Sequence, residues 1–217
     1  EELKQFYLRY CSKIFPEKTF KTVRNFTSGP TYDGKALDEI FDKNFGDVRI
    51  RDSLTHLMIP VTDIKTLRSA WIKSIKGQKD DSREGWESMY LKDALRAATT
   101  APTYFPAKYY DTTPNENVPE VTHRHALIDG GFFCGNLLQR LHTQAKKLAP
   151  PDAEIVIVHI GTGKQDLHLS PEEWNKLSPV DMVKSSKGSI LVSMALNVPT
   201  IDAEENIRDE IGDRFIS

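Results

Sequence analysis

The chain has 217 residues, with 29 lysine and arginine side chains against 31 aspartates and glutamates. A net charge near zero gives no global field that would attract nucleic acid or an anionic membrane, so only a local patch is compatible with peripheral membrane contact. The two cysteines are too few for a disulfide framework and have no metal-type spacing with the histidines. We therefore expect no nucleic-acid partner, no metal and no cofactor.

No apolar stretch reaches the roughly 18 residues that a membrane-spanning helix needs. No signal-peptide pattern precedes the first helical pattern, so we expect a soluble chain and assign it no compartment. The sequence begins with Glu1 and not with methionine, directly on a patterned helix. We therefore expect an excerpt from a longer polypeptide.

Apolar residues at steps of three and four predict amphipathic helices over residues 3–14, 36–45, 91–98 and 137–148. Pro16 follows the first helix and Gly46 the second, which are ordinary signals for helix ends. Small alanines on the third helix allow it to lie close to a neighbouring element. Ser170 begins a capping box for a further short helix, and residues 182–196 and 201–216 also have helical patterns.

Apolar runs predict the strands. Residues 57–63 resemble a buried strand, although Pro60 indicates an edge position or a strand end, and residues 70–75 are its expected partner. Residues 154–160 are almost continuously apolar and β-branched, which is typical of a strand covered on both faces. With a helix between this strand and the one before it, we expect a right-handed parallel crossover. The charged residues 76–87 and the polar residues 111–125 are predicted to be loops.

The sequence Leu127-Ile128-Asp129-Gly130-Gly131 places a carboxylate at the end of a short apolar run, followed by two glycines. An aspartate there can be held rigidly at the rim of a sheet, while the glycines allow a positive φ and the close approach of another group. This arrangement suits a catalytic acid or base. The alternative is an ordinary strand-ending Asp-Gly turn.

Several other features remain open to two interpretations. The rigid aromatic segment 102–106 can wall a pocket or belong to the core. Asn136 can hydrogen-bond the loop that positions Asp129 or cap the helix that follows. The segment 161–163, Gly-Thr-Gly, lies at a strand end where open α/β sheets place their sites, or forms a structural turn.

Residues 93–106, the Asp129-Gly130-Gly131 motif with Asn136, and residues 160–163 resemble the patatin-like phospholipase family in order and spacing. Residues 32–34 and 59–63 also look like that family's helix entry and earlier strand, so the resemblance covers residues 30–165. It implies a three-layer α/β/α fold with a mostly parallel sheet. Residues 1–180 would then be the carboxyl-terminal portion of the catalytic domain, and residues 181–217 a helical segment packing on it.

The resemblance also implies ester hydrolysis of acyl lipids, such as phospholipids, by a serine and aspartate dyad. Asp129 matches the dyad aspartate and would be the general base that takes the proton of the serine hydroxyl. Gly130 and Gly131 would leave room for the acyl group, and Tyr104 and Phe105 would line its pocket. Such a dyad requires no histidine, so His123 and His125 are interpreted as loop residues.

The nucleophile of that family lies in a Gly-x-Ser-x-Gly elbow, and no serine of this chain has glycines two residues away on both sides. We expect the serine on a missing upstream segment of the same polypeptide. One alternative is a family member without catalysis that serves as a lipid-binding or protein-interaction module. Another is nucleotide binding by residues 161–163, which lack the third glycine and the acidic partner of that motif.

Overall fold

The computed structural model describes residues 2–16, 29–74, 86–112, 123–131, 137–161, 169–178, 181–182 and 190–217. The chain forms two units, residues 1–134 and residues 135–217. The division that the sequence suggests at residue 180 stays a prediction.

The first unit combines three helices with four strands. Its helices are α1 (Glu2–Ile14), α2 (Lys35–Phe45) and α3 (Leu91–Ala98). Its strands are β1 (Met58–Asp63), β2 (Arg68–Lys73), β3 (Lys108–Thr112) and β4 (His123–Asp129). The three predicted helices of this unit are confirmed, each within a residue of its expected ends, because the apolar period and the end signals are local.

The four strands form one sheet in the order β2-β1-β4-β3, and every pairing within it is antiparallel. In this part of the chain the structure therefore shows an α/β arrangement but does not confirm the expected mostly parallel sheet. An apolar run indicates burial and not strand direction, which is why the sequence did not reveal the antiparallel order. Val61 of β1 lies opposite Asp129 at the end of β4.

Pro60 lies inside β1, opposite Trp71 of β2. Strand β1 as a whole has a neighbour on each side, but at Pro60 itself only β2 is paired with it, so the proline has the edge position that the sequence indicated. Pairing with β4 covers only the last three residues of β1 and begins at Val61, one residue beyond Pro60. A proline has no N–H to donate, and it is tolerated here because the ladder with β4 does not extend to it.

Strand β3 occupies residues that the sequence pattern partly assigned to a loop. Tyr110 packs against the sheet core, whereas Tyr109 is 66% exposed, so the two neighbours point to opposite faces. His125 likewise belongs to β4 and not to a loop. Short strands of polar and aromatic residues carry a weak periodic signal, and β3 is held by its partner β4.

Two apolar clusters stabilise this unit. The sheet and α3 share a core in which Ala94 and Ala97 allow close packing, as the small residues predicted; its members are Ile50, Val61, Ile72, Trp86, Met89, Ala94, Ala97 and Leu127. The helices α1 and α2 meet over a second cluster formed by Tyr10, Leu37, Ile40, Phe41 and Phe105.

The second unit contains α4 (Leu137–Leu148), β5 (Ile157–Val158), α5 (Pro171–Trp174), α6 (Ile190–Ile211) and β6 (Phe215–Ile216). Ser170 caps α5 through the predicted capping box. The core of the unit comprises Leu138, Ile157, Ala203, Ile207, Ile211 and Phe215. Among the helices that the structure describes, none is long and apolar enough to cross a membrane.

Three predictions for this part of the chain differ from the structure. The parallel pair described by the structure joins β5 to β6 and not β4 to β5, so the expected crossover is not found among the described residues. The helical pattern of residues 201–216 ends at Ile211, after which the chain turns into β6. Ile157 is buried while Val158 is 60% exposed, so β5 is covered on one face and not on both.

Candidate functional site

Asp129 is the last residue of β4 and is fixed by two hydrogen bonds. Its N–H donates to the carbonyl oxygen of Thr100 at 3.0 Å. Its carboxylate Oδ1 accepts the N–H of Gly131 at 2.7 Å. The residue is half-buried. The structure therefore places the predicted carboxylate at a rigid strand end, in a partly dry environment.

Burial raises the pKa of the Asp129 carboxyl above its ordinary value of 3.8, against the hydrogen bond from Gly131, which acts to lower it. A carboxylate with a raised pKa binds a proton more strongly than an ordinary aspartate does. This property favours general-base chemistry.

Gly130 is required by close packing. A Cβ atom at this position would lie 2.5 Å from the carbonyl carbon of Pro60 and 2.7 Å from the backbone nitrogen of Val61. A Cβ at Gly131 would lie 3.2 Å from Asp129 Oδ1. Neither glycine has a positive φ, so the expected close approach is confirmed at Gly130 and the expected left-handed backbone is wrong.

Arg96 of α3 and Thr100, two residues beyond the end of that helix, support the aspartate, a role that the sequence did not reveal. Thr100 is fully buried, and its hydroxyl accepts a 2.5 Å hydrogen bond from Arg96 Nη1. The same hydroxyl donates to the carbonyl oxygen of Arg96 at 2.7 Å. Because the carbonyl of Thr100 accepts the N–H of Asp129, this pair helps fix the end of β4. The available signal was an arginine between the packed alanines of α3.

The Arg96 guanidinium is buried and extends this support to α2. Its Nε lies 3.1 Å from Asp38 Oδ1. Gly34 adopts a φ of 80°, and a Cβ there would lie 2.0 Å from Arg96 Nη2. Only glycine suits this position, because both the left-handed backbone and the guanidinium exclude a side chain.

Tyr104 and Phe105 have different environments. Phe105 is 7% exposed and belongs to the cluster between α1 and α2, whereas Tyr104 is 50% exposed and stacks on Tyr32. Thr103, just before them, has a φ of 72°, a conformation that β-branched residues rarely adopt. The segment therefore belongs partly to the core and partly to the surface.

A groove of about 600 Å³ lies between the carboxyl end of α1, the start of α2 and the turn at Phe105. Its walls include Ile14, Tyr32, Gly34, Leu37, Phe105 and Pro106. Phe105 thus lines a cavity, whereas Asp129, Gly130, Gly131 and Tyr104 are not among its lining residues. The predicted substrate-binding residues are not brought together in this one groove.

A second carboxylate of the sheet, Asp63 of β1, is buried against His125. His125 Nδ1 donates to Asp63 Oδ2 at 2.9 Å, and the ring of Trp86 lies over the imidazole. Burial acts to raise the pKa of the Asp63 carboxyl, but hydrogen bonds from His125 and from the N–H groups of Lys65 and Ala126 outweigh it, so the pKa lies below the ordinary value of 3.8. This pair joins β1 to β4.

We expect Asp63→Asn to lower the free energy of unfolding by about 2 kcal/mol at neutral pH, since it removes a charge-assisted hydrogen bond in the sheet. A lowered carboxyl pKa gives stability that is present above the unfolded value and is lost as the pH falls through the folded value. The difference in free energy of unfolding between the wild type and Asp63→Asn should therefore shrink below about pH 4. Denaturant unfolding across pH measures it.

Asp111→Asn is the matched control, because that carboxylate is paired with Arg124 at the surface. Its effect should stay below about 1 kcal/mol. If Asp63→Asn lowered the free energy of unfolding by as little as Asp111→Asn does, or by an amount that did not change with pH, the hydrogen bond between Asp63 and His125 would be contradicted.

The structure leaves some sequence-based predictions untested. Residues 132–136, which include Asn136, and Thr162 and Gly163 lie outside the described residues, as does the side chain of His123. Within the described residues, no group of three or more histidine, cysteine, aspartate or glutamate side chains is arranged to hold a metal ion.

Comparison with known proteins identifies the family. A family model described as Patatin-like phospholipase matches residues 1–139, which is more than half of the chain. The chain is 34% identical over 142 residues to Patatin-like protein 2 of Arabidopsis thaliana, covering 62% of this chain and 33% of that protein. It is 30% identical over 194 residues to Patatin group J-1 of Solanum tuberosum, covering 82% of this chain and 47% of that protein.

Patatin-like protein 3 of Arabidopsis thaliana is 28% identical over 181 residues, with 75% of this chain and 41% of that protein covered. The chain thus spans a third to a half of the length of these relatives. The match to the family model includes the end of β4 with Asp129, and also Thr100 and Arg96, which support it. The chain belongs to the patatin-like phospholipase family.

Proposed function

We propose that this chain is the carboxyl-terminal portion of a lipid acyl hydrolase that cleaves esters of the phospholipid type, with Asp129 as general base. One observation carries the proposal. A half-buried carboxylate, its pKa raised by burial, is fixed at the end of β4 by hydrogen bonds to Thr100 and Gly131. Membership of a family that acts on lipids supplies the substrate class.

The proposed reaction transfers the acyl group to a serine and then to water. Asp129 takes the proton of the serine hydroxyl as its Oγ attacks the acyl carbonyl carbon. The proton then passes to the departing alcohol as the ester C–O bond breaks. In the second half, Asp129 takes a proton from water, which attacks the acyl-serine, and returns it to the serine oxygen.

The serine of the dyad is proposed to lie upstream of residue 1 in the complete polypeptide. No serine of the chain has the Gly-x-Ser-x-Gly context, and the relatives are two to three times longer than the part that matches. We also propose that the complete polypeptide forms the three-layer α/β/α fold. Gly130, Gly131, Tyr104 and Phe105 are proposed to contact the acyl group.

A fluorophosphonate probe tests this proposal on the complete polypeptide. An activated serine reacts with the probe, so we expect stoichiometric labelling of one serine outside residues 1–217, with parallel loss of ester hydrolysis. Peptide mapping locates the label. The absence of both labelling and hydrolysis would instead favour the alternative of a lipid-binding or protein-interaction module without catalysis.

A further inference from the structure

Arg96 of α3 is a buried cation that contacts three other parts of the first unit. It is 4% exposed, and an arginine is rarely buried to this extent unless its donors are paired. Its Nη1 donates to the Thr100 hydroxyl, and its Nε lies 3.1 Å from Asp38 Oδ1 on α2. The guanidinium also lies over the ring of Phe105, with Cζ 5.5 Å from the ring centre. These contacts together offset the cost of burying the charge.

Two of these contacts lie at the two ends of one segment between α3 and β3. We call this segment, residues 100–105, the α3 turn. Arg96 binds its first residue, Thr100, by a hydrogen bond, and its last, Phe105, through the ring. Inside the α3 turn, Thr103 has a φ of 72°. A β-branched residue keeps such a backbone only where the surrounding contacts hold it, so the turn depends on what fixes its ends.

The α3 turn holds the proposed base through Thr100. The carbonyl oxygen of Thr100 accepts the N–H of Asp129 at 3.0 Å, while the hydroxyl of the same residue accepts a hydrogen bond from Arg96. That hydroxyl also donates to the carbonyl oxygen of Arg96 at 2.7 Å, so Thr100 is fixed by both its side chain and its backbone. A misplacement of about 1 Å near a reacting group can cost about 100-fold in rate, so this support matters for a base.

The geometry around the guanidinium requires arginine and not merely a positive charge. A Cβ atom at Gly34 would lie 2.0 Å from Arg96 Nη2, so the guanidinium packs directly against the backbone that leads into α2. A lysine side chain ends in one nitrogen and has no planar fork. It cannot donate to Thr100 through one nitrogen while it faces Asp38 through another. Arg96→Lys therefore keeps the charge and removes the bridge.

We propose that Arg96 is a positioning residue for the ester hydrolysis: its guanidinium fixes the α3 turn, and Thr100 of that turn fixes Asp129. This inference rests on the proposed function, in which Asp129 is the general base. In this role Arg96 takes no part in proton transfer. Its loss acts through the position and the burial of Asp129.

Steady-state kinetics of Arg96→Lys in the complete polypeptide, on a soluble ester, test this role. We expect kcat to fall about 30-fold and KM to stay within about twofold, because a misplaced base lowers turnover and not substrate binding. Arg49→Lys is the matched control, since this half-buried arginine donates to the carbonyl oxygen of Ser88 and the hydroxyl of Tyr90, at the start of α3. Its kcat should stay within about twofold of the wild type.

The pH profile of Arg96→Lys separates misplacement of the base from loss of folded protein. Burial raises the pKa of the Asp129 carboxyl. Once the end of β4 is loosened, water reaches this carboxyl and its pKa falls, so the acid limb of kcat/KM should move to lower pH. A fraction of unfolded protein would lower kcat without moving that limb.

Hydrogen exchange resolved to single amides tests the same link without any catalysis. Because the carbonyl of Thr100 accepts the Asp129 N–H, this amide should exchange about tenfold faster or more in Arg96→Lys than in the wild type. The Ile64 amide is the internal reference, since it donates to the carbonyl oxygen of Ala126 at 2.9 Å in the same sheet. Its exchange rate should stay that of the wild type.

The outcomes distinguish this inference from the proposed function. Unchanged exchange of the Asp129 amide in Arg96→Lys, or equal acceleration at Asp129 and Ile64, would overturn the proposal. Equal losses of kcat in Arg96→Lys and Arg49→Lys would overturn it as well. Faster exchange at Asp129 alone, in a polypeptide whose wild type hydrolyses no ester, would contradict the proposed function and leave Arg96 as the residue that positions Asp129.

Discussion

Asp129→Asn in the complete polypeptide is expected to lower kcat for ester hydrolysis by about 1,000-fold with little change in KM, because it removes the base that takes the proton of the serine. The amide keeps an oxygen that can accept the N–H of Gly131, now 2.7 Å from Oδ1, so the turn should persist. Steady-state kinetics on a soluble ester measure the effect.

The stability of this variant distinguishes a catalytic role from a structural one. A carboxyl with a raised pKa stabilises the fold below its unfolded pKa, and that contribution is lost as the pH rises through the folded value. Ionisation of the Asp129 carboxyl therefore costs the folded state free energy. We expect Asp129→Asn to unfold at an equal or higher temperature than the wild type.

The pH dependence of the wild type gives an independent readout. The base must be ionised, so kcat/KM should fall as the pH drops through a value above 3.8, the ordinary pKa of aspartate. Asp111→Asn is the control, because it makes the same change in an exposed carboxylate paired with Arg124, and it should keep activity within about twofold. Unchanged turnover in Asp129→Asn would exclude Asp129 as the base.

The helices and the position of Asp129 could be predicted because their signals are local. Three- and four-residue spacing, together with Pro16 and Gly46, defines α1 and α2 without knowledge of any distant residue. An apolar run followed by Asp-Gly-Gly likewise predicts a carboxylate at a strand end, and Asp129 occupies that place. The family resemblance rested on the same local motifs and is confirmed.

The environment of Asp129 could not be predicted, because it depends on contacts between distant segments. Thr100 reaches Asp129 through its backbone carbonyl, an interaction that no side-chain pattern encodes. Gly130 is required by the backbone of Pro60, which is brought there by an antiparallel register that an apolar run does not specify. The direction and order of the strands follow from which surfaces bury each other.

Strand β5 shows a second limit of prediction from sequence, which concerns burial and not strand order. The apolar residues 154–160 indicate two covered faces, yet Ile160 is 88% exposed while Ile157 is buried in the core of the second unit. A sequence pattern records which surfaces are apolar. It does not show which of these apolar surfaces packs against another element of the chain.

Gly130→Ala is expected to lower the free energy of unfolding by about 3 kcal/mol and to reduce activity as well. The added methyl group would lie 2.5 Å from the carbonyl carbon and 2.6 Å from the carbonyl oxygen of Pro60. Both atoms belong to the backbone of β1, which cannot rotate away as a side chain can. Strands β1 and β4 must therefore separate where Asp129 pairs with Val61.

Two glycine variants serve as controls in the same denaturant and activity measurements. Gly131→Ala meets only the Asp129 carboxylate, at 3.2 Å, so it should change stability by less than about 1 kcal/mol while displacing the base and reducing activity. Gly161→Ala meets nothing within 4 Å and should preserve stability. If Gly130→Ala were as stable as the wild type, the close approach of β1 and β4 at Gly130 would be contradicted. The burial of Asp129, which raises the pKa of its carboxyl, would then no longer follow from that packing.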